Sequence, residues 1–183
     1  MAGILEIAQV VSVSLIIVLI IKYYLIQPFM IKGNSMEPNF HDGNYIVADE
    51  ISYRFRAPER GEVIVFHFPI DEKQYFIKRI IGLPGETVEI KDKQVKVSSN
   101  SDPEGKFLDE NYLPENVRNK TEGNLKVTLK DNEYFVMGDN RFHEKSSDSR
   151  SWGPVSQDLV VGKVMFRIWI IEKIIGGFKA LMM

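Results

Sequence analysis

The chain contains no cysteine, which excludes disulfides, thiol nucleophiles and cysteine-ligated zinc. Its three histidines, His41, His67 and His143, are far apart and include no pair at the i, i+4 spacing of a metal-binding helix. The formal charge of −2 gives no electrostatic footprint for nucleic acid. The sequence therefore predicts no metal, no cofactor and no nucleic acid partner, and it leaves the oligomeric state open.

The first thirty residues are far more apolar than the rest. The run Ile7–Ile21 carries no charged side chain, and twenty helical residues cover about 30 Å, the thickness of a bilayer core. Lys22, Tyr23 and Tyr24 after the run are typical of a membrane interface. A cleaved leader would need a basic start and small residues at its exit, which are missing here. We expect residues 1–28 to form a membrane anchor, with a buried helix of a soluble protein as the alternative; charge does not give its orientation.

Short segments rich in Val, Ile, Phe and Tyr follow, separated by Gly and Pro turn signals. They predict strands at 45–51, 62–68, 74–82, 87–97 with a hairpin tip at 91–93, 125–129, 134–138 and 159–171. The polar stretch 98–124 predicts an insertion or flexible excursion outside the core, and no helical pattern occurs between the anchor and the tail. The apolar tail 172–183 suits either the membrane interface or packing on the body. With 183 residues and 44 per cent apolar content, the fold class is predicted as mostly β, one domain with or without a subdomain.

Lys78 is unusual because it lies between Phe76 and Ile80 on one face of a predicted strand. The ordinary interpretation is an exposed lysine that protects a sheet edge. The alternative is a buried lysine whose pKa is lowered by desolvation, so that the neutral amine can take a proton from a serine hydroxyl. The second interpretation requires a serine nucleophile elsewhere in the chain.

Ser35 is the candidate for that serine. It lies in the irregular segment IKGNSMEPNF (31–40), between Gly33 and Pro38. A turn serine that bonds its own backbone is the alternative interpretation. Backbone N–H groups around Gly33 are candidate donors to an oxyanion, because glycine leaves room for close approach. A Ser/Lys pair needs no histidine, and each histidine here lies in a strand or polar loop that suits a base poorly.

The polar segment VMGDNRFHEKSSDSRSWGPV (136–155) follows a predicted strand. We expect Asp148 and Arg150 to be structural partners, and Asp139 and Asn140 to cap backbone groups. Gly138 is expected at a point of close packing. One hydroxyl of this loop is expected to orient the amine of Lys78, because a neutral lysine must aim its lone pair at the serine.

Four segments occur along the chain in a fixed order: GNSMEP, RGEVIVF (60–66), YFIKRIIGLPGE (75–86) and VMGDNR…SSDSRSWG. They resemble the motif boxes of bacterial type I signal peptidases, and the compact chain is similar to the Gram-positive members. The resemblance implies a β protease core at 29–85 and 133–171 with a small inserted β subdomain at 86–132. It also implies a single-pass serine endopeptidase of the cytoplasmic membrane, with its catalytic domain on the extracytoplasmic side, that removes signal peptides from exported preproteins.

By the same resemblance, Ser35 is the nucleophile, Lys78 the general base, and Ser146 the group that orients the lysine, with Ser147 as the alternative. Two positions depart from the family pattern: Asn39 replaces a frequent threonine, and Gly33 replaces a hydroxyl residue of the oxyanion hole. The resemblance then implies a hole built from backbone N–H groups at Gly33 and Ser35, with Ser35 as the donor.

Apolar side chains next to the nucleophile and the base are expected to line shallow pockets for small substrate residues: Met36, Phe40, Phe76 and Ile77.

Two other functions are considered. A self-cleaving regulator of the LexA type shares the Ser/Lys pair but would carry a DNA-binding domain in place of the anchor. A non-enzymatic, membrane-anchored binding domain would not need both Ser35 and Lys78.

Overall fold

The structure is a computed structural model that describes residues 2–24, 26–142 and 145–168, without the side chains of 2, 5, 17–24, 26 and 166–168. Helix α1 spans Ala2–Tyr24. None of the helices that the described residues form is long and apolar enough to cross a membrane. The predicted anchor therefore stays a prediction from the sequence, and the predicted tail 172–183 lies outside the described residues.

After α1, the described residues form eleven strands and two further α-helices. The strands are β1 (Ile26–Met30), β2 (Tyr45–Asp49), β3 (Val63–Phe68), β4 (Asp71–Gly82), β5 (Thr87–Lys91), β6 (Gln94–Ser99), β7 (Asp102–Phe107), β8 (Leu125–Thr128), β9 (Glu133–Met137), β10 (Val155–Ser156) and β11 (Val160–Ile168). The helices are single turns, α2 (Ser52–Phe55) and α3 (Ser149–Trp152), and a 3-10 turn covers Gln157–Leu159. The prediction of a mostly β fold is confirmed, whereas the short helices were not predicted because one turn leaves no periodic pattern.

The larger sheet has seven strands in the order β1-β2-β11-β3-β4-β9-β10, and all of its neighbours run antiparallel. Strand β3 shows why its sequence, VIVFHF, is apolar without alternation. Ile64 and Phe66 pack into one apolar cluster, and Val65 between them packs into another. Both faces of this central strand are buried, so it requires apolar side chains at successive positions.

The smaller sheet has four strands in the order β7-β6-β5-β8 and lies within the predicted insertion 86–132. Its β5–β6 hairpin turns at Asp92 and Lys93, which both have positive φ (51° and 65°), as a two-residue hairpin turn requires. The sheet does not stand alone. Its Val88 and Ile90 share one apolar cluster with Phe135 of the larger sheet.

The polar stretch 98–124 was predicted to lie outside the core, and that prediction is wrong. It contributes strand β7, and Leu113, Thr121 and Glu110 in it are only 1%, 1% and 6% exposed. The polar side chains are buried because the guanidinium of Arg141, which is itself inaccessible to solvent, needs partners. Composition alone cannot show such a partner 20 residues or more away.

Candidate active site

Ser35 lies in the loop that joins β1 to β2. Backbone bonds close the base of this loop, from Ile31 N to Asn44 O and from Gly43 N to Ile31 O, both 2.9 Å. Met36, next to the serine, is 1% exposed and anchors the loop in the interior. The loop is therefore held at both ends and in the middle, so the half-buried Ser35 has a defined position.

Lys78 lies on β4, between β3 and β9 in the sheet, and is 3% exposed. Its Nζ is 2.6 Å from Ser35 Oγ and 2.9 Å from the carbonyl oxygen of Ile77. Of the two interpretations of this lysine, the exposed edge residue is therefore excluded. The structure brings a serine hydroxyl and a buried amine into hydrogen-bond contact across 43 residues of sequence.

Burial lowers the pKa of Lys78 from 10.5 to about 8. The carboxylates of Asp148 and Asp139 oppose this by favouring the ammonium form, while Arg150 adds to the lowering. Desolvation wins because the amine is almost completely removed from water. Near neutral pH, the fraction of Lys78 that is a neutral amine is therefore much larger than for an exposed lysine.

Asp148 organises the turn beside the lysine. It accepts bonds from Gly138 N at 3.0 Å, from Ser146 Oγ at 2.7 Å, and from Nε and Nη2 of Arg150, both at 2.8 Å. Burial alone would raise the pKa of Asp148, but the bonds from Arg150, Gly138 and Ser146 outweigh it and hold the pKa below its ordinary value. A Cβ on Gly138 would lie 2.2 Å from both Ser146 Oγ and Ser35 O, so only glycine fits there.

Asp139 and Asn140 tie this turn to the nucleophile loop. Asp139 is buried and accepts a bidentate pair from Arg79, at 2.7 Å from Nε and 2.6 Å from Nη2. The backbone N–H of Asn140 donates to Ser35 O at 3.1 Å, and its side chain donates to Asn34 O at 3.2 Å. Because Arg79 follows Lys78 in β4, one strand holds the base and the turn that holds the nucleophile.

The two candidate orienting serines differ in their surroundings. Ser146 is 1% exposed and gives its hydroxyl proton to Asp148. Ser147 is exposed, lines the groove beside the dyad, and accepts a bond from Trp152 Nε1 at 3.2 Å. The burial of Ser146 next to Gly138 and Ser35 suits a positioning role better than the exposed site of Ser147.

A groove of about 550 Å³ opens at the dyad. Two of the predicted pocket residues, Phe76 and Ile77, line it together with Ser35 and Lys78. The other two lie elsewhere. Met36 is buried in the interior, and Phe40 lines a separate cavity of about 570 Å³. The reason is that the loop around Ser35 needs its own apolar anchors, so these side chains point into the protein.

Other residues that line the groove were not predicted from the sequence. They come mainly from β1 and the residue after it, with contributions from two core strands: Phe29, Met30, Ile31, Ile46 and Val65. The apolar residues near the nucleophile do not reveal from the sequence that β1 and β4 line one groove, where the rings of Phe29 and Tyr75 lie 5.2 Å apart.

The backbone N–H groups near Ser35 have different partners. Gly33 has a φ of +84°, and its N–H donates to Asp42 Oδ1 at 2.6 Å. Within the described part of the chain, no group accepts the N–H of Ser35. Of the two predicted oxyanion donors, Ser35 N–H is thus available to a substrate, whereas that of Gly33 is engaged.

The described histidines do not reach the dyad. His67 Nδ1 lies 2.6 Å from Glu72 O and its ring packs on Tyr75, and His41 Nδ1 lies 3.6 Å from Glu37. His143 lies outside the described residues. Over those same residues, no group of three His, Asp or Glu side chains has the geometry of a metal site.

Comparison with known proteins gives matches over most of the chain. The model of the family "Signal peptidase, peptidase S26" matches residues 4–169. Signal peptidase IB of Staphylococcus aureus (strain Mu50) is 35% identical over 174 residues, covering 87% of this chain and 86% of the relative. Probable signal peptidase I-2 of Synechocystis is 36% identical over 176 residues, covering 93% and 75%.

A solved structure agrees with these relatives. The crystal structure of a signal peptidase I from Enterococcus faecalis V583 is 34% identical, with a TM-score of 0.50, and the match covers 60% of this chain and 98% of that one. The resemblance inferred from the four sequence motifs is confirmed, and with it the class of enzyme: the chain belongs to the signal peptidase family, peptidase S26.

Proposed function

We propose that this chain is a membrane-anchored serine endopeptidase that cleaves N-terminal signal peptides from exported preproteins by a Ser35/Lys78 dyad. One observation carries the proposal: the Nζ of a lysine that is 3% exposed lies 2.6 Å from a serine Oγ at the end of an apolar groove. Family membership supports the reaction, and the names of the relatives support the substrate class.

Lys78 acts first as the general base. Its neutral amine accepts the hydroxyl proton of Ser35 while Oγ attacks the carbonyl carbon of the scissile bond. The resulting ammonium then gives this proton to the leaving amine, and the C–N bond breaks to leave an ester on Ser35. A water molecule hydrolyses the ester, with Lys78 again accepting a proton and returning it to Ser35.

The oxyanion that forms in each step needs a donor, and the N–H of Ser35 is the group that supports this role. Its amide lies on the nucleophile itself and is not used within the described fold. A donor placed in this way stabilises charge as it develops, without reorganisation of solvent. Gly33 contributes the open backbone beside it, because no atom lies within 4 Å of where its Cβ would be.

Ser146 is the proposed orienting group for Lys78. A neutral amine has two N–H bonds and one lone pair. The carbonyl oxygen of Ile77 accepts one N–H at 2.9 Å. Ser146 gives its own proton to Asp148, so its oxygen can accept the second N–H. Among the described residues Lys78 Nζ bonds Ser35 Oγ and Ile77 O, and the bond to Ser146 is part of the proposal. The lone pair is then directed at Ser35.

The groove supports a preference for small residues near the cut. Phe29, Ile31, Phe76 and Ile77 line it, and they are apolar residues of β1, of β4 or of the position next to β1. We propose that alanine is preferred at the first and third positions before the cut, because strict rejection of larger side chains requires rigid walls.

The proposed location is the cytoplasmic membrane, with residues 1–28 as a single-pass anchor and the β domain on the extracytoplasmic side. The uncharged run Ile7–Ile21 and the interface residues after it support the lipid bilayer as a partner. Removal of signal peptides from exported chains takes place at such a membrane surface, which is why the anchor and the reaction belong together.

The test is direct. Full-length protein in detergent is incubated with a preprotein, and the products are mapped by mass spectrometry. We expect one cut after a small residue, and no cut by Ser35→Ala or Lys78→Ala although both variants still fold, as judged by circular dichroism. Turnover near the wild-type value in Lys78→Ala would refute the dyad.

A further inference from the structure

Asn39 joins three parts of the molecule at one point. It lies in the nucleophile loop, four residues after Ser35, and is half-buried. Its Nδ2 donates to the backbone oxygen of Tyr112 at 2.9 Å and to Asp139 Oδ2 at 2.7 Å. Tyr112 belongs to the long segment between β7 and β8 of the smaller sheet. Through one amide group, the smaller sheet, the nucleophile loop and the Asp139 turn are therefore linked.

Tyr112 is itself held firmly in place. Its ring lies under the guanidinium of Arg79, with Cζ 4.1 Å from the ring centroid. Its hydroxyl donates to Glu110 Oε1 at 2.7 Å and accepts from Arg141 Nη2 at 3.0 Å. Glu110 also forms an ion pair with Arg141. The carbonyl that receives the Asn39 amide is thus supported by a buried network of charged and aromatic groups.

The same network also contacts the dyad through the turn at Gly138. Arg141 is fully buried, and its Nε donates to Gly138 O at 3.1 Å. Gly138 packs directly on Ser35 O. Asn140, two residues later in the turn, donates its backbone N–H to that same oxygen. The backbone of Ser35 is therefore held by a hydrogen bond from a turn, and Arg141 fixes the position of that turn.

We propose that Tyr112, in the segment that joins β7 to β8, is a positioning residue for the dyad, and that Asn39 transmits its support to Ser35. Neither Asn39 nor Tyr112 touches the reacting atoms. Their effect is to hold the Ser35 hydroxyl in contact with Lys78, where the distance is 2.6 Å. The inference rests on the proposed function, because it assigns a role within that same reaction.

The expected size follows from geometry. A displacement of the nucleophile by about 1 Å can reduce the rate about a hundredfold even when binding is kept. We expect Asn39→Ala to lower kcat by a factor of about ten to a hundred, with KM changed by less than about threefold. A residue that only stabilised the fold would lower the melting temperature and leave kcat per folded molecule unchanged.

The experiment is a double-mutant cycle on the full-length enzyme in detergent, with kcat and KM measured well below the melting temperature. Tyr112→Phe removes only the hydroxyl that ties the ring to Glu110 and Arg141. Since both changes loosen one linkage, the double variant Asn39→Ala/Tyr112→Phe should be far less impaired than the product of the two single effects. Asn39→Asp, which keeps the shape but places a carboxylate 2.7 Å from that of Asp139, should be at least as impaired as Asn39→Ala.

The control is Asn111→Ala, between β7 and β8 like Tyr112, since among the described residues the exposed Asn111 side chain donates only to Asp109. It should keep wild-type kcat and KM. Wild-type kcat in Asn39→Ala, or strictly multiplicative effects in the cycle, would overturn the inference. These results are separable from failure of the proposed function: an active Ser35→Ala would refute the function, whereas an inactive Ser35→Ala beside a fully active Asn39→Ala would refute only the positioning role.

Discussion

Replacing Lys78 by methionine removes the buried amine while keeping an unbranched side chain of similar length. The pKa of Lys78 is lowered from 10.5 to about 8, so folding at low pH requires either a buried ammonium or loss of a proton. A shift of this size corresponds to about 3 kcal/mol against the folded state at pH 6, where the unfolded lysine is fully protonated. Methionine has no such penalty, so the variant should be more stable than wild type at pH 6.

The sign of the pH dependence is fixed by linkage. Between pH 8 and 10.5 the unfolded chain binds more protons at this residue than the folded chain, so wild-type stability rises with pH in that window. At pH 9 the penalty falls to about 2 kcal/mol, and the advantage of Lys78→Met should shrink by about 1 kcal/mol from its value at pH 6.

The assay is denaturant unfolding of wild type and Lys78→Met at pH 6 and pH 9. Lys73→Met, at an exposed position of the same strand, serves as the control and should show no such pH dependence. If the advantage of Lys78→Met were equal at both pH values, Lys78 would have an ordinary pKa, and the argument from burial would fail.

Activity should follow the same titration. The value of kcat/KM for wild type is expected to rise with pH and level off above an apparent pKa of about 8, as Lys78 loses its proton. Lys78→Arg should be inactive at every pH, because a guanidinium does not give up its proton in a protein. A clearly active Lys78→Arg would show that this position only supplies charge.

Three further outcomes are expected. Peptides with alanine before the cut should be cleaved at least about tenfold better than those with leucine, and equal rates would rule out a rigid small pocket. Ser146→Ala should lower kcat about a hundredfold while Ser147→Ala stays near wild type, and the reverse order would transfer the orienting role to Ser147. Gly138→Ala, whose Cβ would lie 2.2 Å from Ser146 Oγ and Ser35 O, should lose about 1–3 kcal/mol of stability and most activity. Gly3→Ala, with nothing within 4 Å, is its control, and equal melting temperatures and activities would show that the turn relaxes freely.

Local features of the chain were accessible from the sequence because they depend on near neighbours. Strands β2 to β6 follow from β-branched and aromatic runs bounded by Gly and Pro. The Lys91-Asp92-Lys93 hairpin tip was predicted from the same pattern, and it is observed with positive φ at Asp92 and Lys93. Lys78 could also be singled out from its neighbours in the sequence, because a cation between Phe76 and Ile80 is unusual in a strand.

The predictions that were wrong concern residues whose surroundings depend on distant partners. Met36 and Phe40 have the apolar character of pocket residues, yet the loop uses them as anchors in the interior and beside a second cavity. The polar segment 98–124 has the composition of a flexible excursion, yet it carries the partners of the buried Arg141. A side chain's chemistry predicts what it can contact, but not which surface the fold brings to it.

The sequence by itself determined the kinds of groups that this protein brings to its chemistry: a serine two residues after a glycine, a lysine in an apolar strand, and a family pattern that relates them. Only the tertiary structure decided that Ser35 Oγ lies 2.6 Å from Lys78 Nζ, and that β1 lines the groove together with β4. The physical reason is that desolvation, which makes Lys78 a base, comes from strands that pair across the whole chain, and the residues next to Lys78 do not show which strands those are.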